Sequence, residues 1–87
     1  MEGFAVIICG KKKYAKSFAV NVEAKSKEEY SIDEKHKLIV AASNAITEVL
    51  EDNVYCGPYW AKINFEDSDF WLEMESEGTK KIGTGRS

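Results

Sequence analysis

Hydrophobic and polar positions alternate with a period of two in several segments of the chain, which is typical of β-strands. Residues 17–24 alternate cleanly, whereas residues 4–9 are apolar at both parities, as in a central strand that is covered on both faces. Aligning Ile8 with Phe18 gives these two segments a self-consistent register. The pattern therefore predicts a first hairpin with a group of lysines at its tip.

A helical period replaces the alternation after Ser31. Ser31 and Glu34 have the spacing of a capping box, in which each residue satisfies a free backbone N–H at the start of a helix. The predicted helix runs to about Asp52. Its apolar residues form one stripe: Leu38, Ile39, Ala42, Ala45, Ile46, Val49 and Leu50.

Two further alternating segments flank an acidic turn at residues 66–69. A turn of this length places Ile63 opposite Leu72 on one face and Asn64 opposite Trp71 on the other. Beyond Ser76 the chain is rich in Gly, Thr and Lys. We therefore predict a single compact domain over 1–76 and a flexible tail over 77–87.

The order of these elements is ββαββ, which predicts an α+β fold with a four-stranded, mainly antiparallel sheet and one helix packed on one face. The strand residues expected beneath the helix are Phe4, Val6, Ile8, Phe18, Val20, Ile63, Phe65, Phe70, Leu72 and Met74.

The alternation assigns both tryptophans to the other face of the sheet. The expected partner or dimer face consists of Trp60, Trp71, Ile7, Ala19, Lys62 and Glu73. Two Trp side chains and an Ile approach the few hundred Å² at which an exposed apolar patch marks an interaction site. We expect a homodimer through this face. The alternatives are a different partner or ligand, and an amphipathic outer face on which the rings lie flat.

Charge is distributed unevenly along the chain. The net charge is −3, with +1 over residues 1–50 and −4 over residues 51–87. The expected acidic surface consists of Glu66, Asp67, Asp69 and Glu75. These carboxylates indicate one of two surfaces. The first is an ordinary solvated hairpin; the second imitates phosphates and occupies the nucleic-acid-binding groove of a protein partner.

A basic cluster at the predicted hairpin tip supports an alternative function. Lys11, Lys12, Lys13 and Lys16, with Tyr14 among them, are candidates for nucleic-acid binding, since lysines contact phosphates and an aromatic ring stacks on a base. The acidic balance of the chain argues against this function, and lysines also protect the edges of sheets.

Few residues offer catalytic or metal chemistry. His36 is the one histidine, and the two cysteines, Cys9 and Cys56, have no metal-ligand spacing. We predict no metal, no cofactor and no enzymatic activity. Because the apolar run at 4–9 is too short to span a membrane, we expect a cytoplasmic protein with free thiols and no membrane association. The expected function is that of a small homodimeric regulator or inhibitor acting through protein contacts.

Overall fold

A computed structural model of the protein describes residues 1–24, 30–52 and 57–76, and the backbone of 78–83. The elements are β1 (Glu2–Cys9), β2 (Lys12–Ala19), α1 (Ile32–Glu51), β3 (Tyr59–Phe65), β4 (Trp71–Glu75) and β5 (Gly78–Gly83). The strands form one sheet in the order β2-β1-β3-β4-β5, with every neighbouring pair antiparallel. The predicted α+β fold, with four strands in the order ββαββ and a helix on the sheet, is confirmed.

The fifth strand lies within the segment that the sequence predicts to be a flexible tail. Gly78–Gly83 pairs with β4, so that Trp71 lies opposite Gly83 and Glu75 opposite Gly78. A strand adds to a sheet edge through its backbone N–H and C=O groups, which the polar composition of this segment does not reveal. Residues 78–83 therefore differ from the prediction, and residues 84–87 lie outside the described part of the chain.

The helix begins and ends where the sequence predicts. Ser31 Oγ accepts a hydrogen bond from the backbone N–H of Glu34 at 3.2 Å, and Glu34 Oε1 accepts one from the backbone N–H of Ser31 at 2.9 Å. This reciprocal capping box satisfies two backbone donors that a helix start leaves free. The C-cap is Asp52, as the predicted end at about Asp52 requires.

One apolar layer lies between α1 and the sheet. The helix contributes buried Leu38, Ala42, Ala45 and Ile46, and it packs against β1 and β2. The predicted helix stripe is therefore confirmed. On β3, β4 and the turn between them, the predicted inner row is also confirmed, since Ile63, Phe65, Phe70, Leu72 and Met74 are all buried.

Aromatic rings extend the core beyond the end of the helix. Phe65 contacts Phe18 and Phe70 edge-on, with centroid distances of 5.8 Å in both cases. Tyr30 then packs edge-on against Phe70 at 5.4 Å, and its hydroxyl lies 2.9 Å from Ser68 Oγ. Edge-on pairs of this kind add about 0.5–1.5 kcal/mol each beyond the area that they bury. These ring contacts connect the segment before α1 with the second hairpin.

The first hairpin differs from its predicted register. Cys9 pairs with Lys12, which leaves a two-residue turn at Gly10 and Lys11, and Gly3 rather than Ile8 lies opposite Phe18. Gly10 has φ +64°, a conformation that suits glycine at the first position of such a turn. Lys12, Lys13 and Lys16 therefore belong to β2, and only Lys11 of this cluster lies in the turn.

This register reverses the two faces of β1. The even-numbered residues of β2 pair with the odd-numbered residues of β1. They include the aromatic Tyr14 and Phe18, which pack against the core. Ala5 and Ile7 are consequently fully buried beneath α1, and Cys9 is 6% exposed. The prediction that Phe4, Val6 and Ile8 face the helix is wrong, because a strand that is apolar at both parities does not indicate which face is inside.

The pairing of Gly3 with Phe18 depends on the missing side chain. A Cβ atom built on Gly3 would lie 2.3 Å from Cζ of Phe18, which is well inside van der Waals contact. We expect Gly3→Ala to displace the Phe18 ring from Phe65 and to lower the free energy of unfolding by about 1–3 kcal/mol. Urea denaturation measures this change.

Gly57→Ala is the matched control for that substitution. A Cβ atom on Gly57 meets no atom within 4 Å. We expect its free energy of unfolding to stay within about 0.5 kcal/mol of wild type. Equal stability of the two variants would contradict the close approach of Gly3 and Phe18.

Candidate functional site

The face of the sheet opposite α1, here called the open face, carries the candidate functional residues. Their positions follow from the strand registers. The described side chains assigned to it are Glu2, Phe4, Val6, Ile8, Lys13, Ala15, Ser17, Ala19, Trp60, Lys62, Asn64, Trp71, Glu73 and Glu75. No described helix or strand covers this face.

The second hairpin places both tryptophans on the open face, as the sequence predicts. Trp60 lies opposite Glu75, and Trp71 lies opposite Asn64. Both indole rings are half-buried and not fully exposed. The register follows from the alternation on β3 and β4, because the buried residues of these strands share one parity.

The most exposed apolar side chains of the open face belong to β1. Phe4 is 46% exposed and Ile8 is 40% exposed, and Val6 between them is half-buried. Ile7, which the sequence pattern predicts on this face, is instead 0% exposed on the helix side. The open face is therefore more apolar than the sequence predicts, because the reversed parity of β1 exchanges Ala5, Ile7 and Cys9 for larger side chains.

Three rows of side chains cross the open face from β2 to β4. The first row contains Lys13, Ile8, Trp60 and Glu75; the second, Ala15, Val6, Lys62 and Glu73; the third, Ser17, Phe4, Asn64 and Trp71. Ala19 lies past the third row, opposite Glu2. Two rows thus combine a large apolar residue of β1 with a tryptophan of the second hairpin.

An ion pair lies in the middle row. Lys62 Nζ is 4.0 Å from Glu73 Oε1 and 4.3 Å from the centroid of the Trp71 ring. The side chains of Lys62 and Glu73 are 19% and 18% exposed, so water screens this pair less than a fully exposed one. The Trp71 ring therefore packs against the Lys62 cation.

Trp71 also carries a hydrogen-bond donor without an acceptor. Its Nε1 atom is buried and has no hydrogen-bond partner in the described part of the chain. A buried donor left unsatisfied costs about 1–3 kcal/mol. The exposed Asn64, directly opposite on β3, is the nearest side-chain amide in the register.

A shallow depression of about 380 Å³ adjoins the third row. Phe4, Ser17 and Asn64 line it, together with residues at the adjoining ends of β1 and β3. It forms where Phe4 is flanked by two short side chains, Ser17 on β2 and Asn64 on β3. The open face thus presents a projecting ring beside a recess.

The acidic residues do not form one continuous surface. Glu66, Asp67 and Asp69 are exposed at the turn between β3 and β4, where Asp67 has φ 59°. Glu75 is half-buried at the far end of β4, next to Trp60. Only Glu75 among these four carboxylates belongs to the rows of the open face.

The lysines of β2 are divided between the two sides of the sheet. Lys13 lies on the open face opposite Ile8, whereas Lys12 and Tyr14 have the opposite parity. Lys16 also faces the helix layer, where its Nζ is 3.4 Å from Glu48 Oε2. The candidate nucleic-acid site is thereby split, with Lys11 exposed at the turn.

Cys9 is disulfide-bonded, which contradicts the expectation of free thiols. Cys56, the other cysteine of the sequence, lies outside the described residues. Disulfides persist in oxidising compartments. Since the cytoplasmic expectation depended on free thiols, we propose no compartment for this protein.

His36 is exposed on α1, and burial raises the pKa of Tyr59 above its ordinary value, so its hydroxyl stays protonated at neutral pH. Within 1–24, 30–52 and 57–76, no group of three or more His, Cys, Asp or Glu side chains is placed to hold a metal ion.

Two ion pairs among the described residues, Lys62 with Glu73 and Lys16 with Glu48, differ in burial. They allow a test of how burial affects the strength of an ion pair. A double-mutant cycle with Lys62→Ala and Glu73→Ala should give a coupling free energy of about 0.5–1 kcal/mol. The cycle with Lys16→Ala and Glu48→Ala should give less, although that pair is shorter, because its side chains are 40% and 65% exposed. Urea denaturation at low protein concentration measures both, and a larger coupling for Lys16 and Glu48 would contradict this view of the open face.

Comparisons with protein-family models, with curated proteins and with solved structures found no match to this chain. Among the described residues, no helix is both long and apolar enough to cross a membrane.

Proposed function

We propose that the protein is a non-enzymatic binding module that forms a homodimer through the open face. The observation that carries this proposal is the exposure of Phe4 and Ile8, at 46% and 40%, beside the half-buried Trp60 and Trp71 on one sheet surface. Apolar side chains grouped in this way on a protein surface mark interaction sites, whereas isolated ones do not.

The free energy available from covering this patch is large for a small domain. Phe4 and Ile8, which are 46% and 40% exposed, and the half-buried Trp60 and Trp71 leave roughly 200–300 Å² of apolar area in contact with water. At about 25 cal/mol per Å², each copy gains several kcal/mol when that area is covered. This gain is comparable to the whole free energy of unfolding of a small domain, about 5 kcal/mol or more.

The charges of the open face favour a protein partner over nucleic acid. Among the described side chains, the face carries two lysines, Lys13 and Lys62, against three carboxylates, Glu2, Glu73 and Glu75, and the register of β5 places Lys81 opposite Glu73. Lys62 is already paired with Glu73. A surface without an excess of positive charge does not attract a phosphate backbone strongly, even though its aromatic rings offer stacking surfaces.

A second copy is a better occupant than a foreign protein because the face is complementary to itself. It has both an exposed ring and a recess, and it has a lysine at one end of a row and a carboxylate at the other. Closed two-fold dimers use one patch on both copies, so such a patch must supply both halves of each contact. The exposed carboxylates Asp67 and Asp69, with Glu66 at the rim of the dimer contact, then remain accessible and engage a protein target, as in a small regulator or inhibitor.

The dimer is tested with Ile8→Glu. Placing a carboxylate within the apolar contact should reduce association at least tenfold, because the charge loses its water on dimerisation. Sedimentation velocity from about 1 to 300 μM protein gives the mass of wild type and variant, and circular dichroism checks that both are folded.

Val40→Glu is the matched control. Val40 is 41% exposed, almost the same as Ile8, but it lies on α1 away from the open face. We expect this variant to dimerise like wild type. A wild-type protein that stays monomeric at all concentrations, or equal losses in both variants, would overturn the proposed function.

A further inference from the structure

We propose that the two-fold axis of the dimer runs along the strands, between β1 and β3. This inference rests on the proposed function, since it specifies how two copies meet at the open face. It follows from the positions of the charged and apolar side chains in the three rows that cross that face.

Two identical sheets that pack face to face are related by an axis lying in the plane between them. In aligned sheet packing the strands of the two sheets cross at about 30°, so the axis runs either nearly along the strands or nearly across them. These two arrangements bring different residues of the rows together. The charges therefore distinguish between them.

An axis across the strands is unfavourable. To keep the two faces in full overlap it must pass along the middle row, which stacks Lys62 on Lys62 of the second copy and Glu73 on Glu73. Like charges that face each other in a contact without water oppose association. An axis along β3 itself is also unfavourable, because it places Lys62 over Lys62 of the second copy.

An axis along the strands between β1 and β3 avoids every such contact within the three rows. It exchanges β1 with β3 and β2 with β4, so Ile8 lies over Trp60 of the second copy. Lys13 then lies over Glu75 of the second copy, and this ion pair forms twice. Lys62 faces Val6, against which its aliphatic stem packs while its ammonium group stays beside Glu73.

The depression beside the third row supports the same axis. The exchange of β1 with β3 places Phe4 over Asn64 of the second copy, and Asn64 lines that depression. The projecting ring of each copy thus enters the recess of the other. An axis between β3 and β4 would instead place Phe4 and Ile8 over Gly83 and Gly78 of β5, which have no side chains to pack against them.

The contact is small, so the dimer dissociates readily. Seven residues of strand length by the four strands that overlap span roughly 24 × 14 Å, which is small for a specific interface. The axis also brings Glu2 near Glu66 of the second copy at the rim, which opposes association. Measurements must therefore extend to a protein concentration of a few hundred micromolar.

Charge reversal in separate copies tests the axis. Lys13→Glu and Glu75→Lys should each raise the dissociation constant about three- to tenfold, because each variant creates two like-charge contacts. An equimolar mixture of the two variants should return to the wild-type dissociation constant, since both ion pairs form again with opposite polarity in the heterodimer. Sedimentation velocity of each variant and of the mixture, at one total concentration, measures the rescue.

Glu51→Lys mixed with Lys13→Glu is the control. Glu51→Lys makes the same change of charge on α1, on the other side of the sheet. This mixture should not return to the wild-type dissociation constant. If the wild type dimerises but the mixture of Lys13→Glu and Glu75→Lys shows no rescue, the axis is overturned while the proposed function stands. If the wild type is monomeric throughout, the proposed function and the axis both fail.

Discussion

The two-residue turn at Gly10 determines which side of β1 is buried. It joins Cys9 to Lys12, so each odd-numbered residue of β1 shares a face with an even-numbered residue of β2. Because the even-numbered residues of β2 include Tyr14 and Phe18, that face packs against α1. Gly3, whose missing side chain makes room for the Phe18 ring, belongs to the same face. The turn, the glycine and the aromatic rings thus require one register.

The composition of the open face is a consequence of that register. On the helix side, β1 has the small Gly3 and Ala5 beside Ile7 and Cys9, and all four residues are buried. The larger Phe4 and Ile8 are thereby left facing away from the helix. A strand that is apolar on both sides and covered on only one leaves an apolar surface for a partner. The register that buries one side of β1 therefore leaves Phe4 and Ile8 exposed on the other side.

Neighbouring charges in the sequence separate in the fold. Lys12 and Lys13 point to opposite sides of β2, and Lys16 pairs with Glu48 of the helix. Conversely, Lys13 and Glu75, which are distant in the sequence, end one row of the open face from opposite sides. A strand sends successive side chains to opposite faces, so a run of like residues in a strand is not a patch on the surface.

The sequence by itself determined the helix with its capping box, the register of the second hairpin and the place of Trp60 and Trp71 on the open face. These features depend on local spacing and on alternation with a single polar side. Only the tertiary structure decided the face of β1, because its residues are apolar at both parities and the choice depends on contacts with Phe18 and the helix. It also decided the pairing of β5, since backbone hydrogen bonding to a free edge leaves no pattern in the side chains.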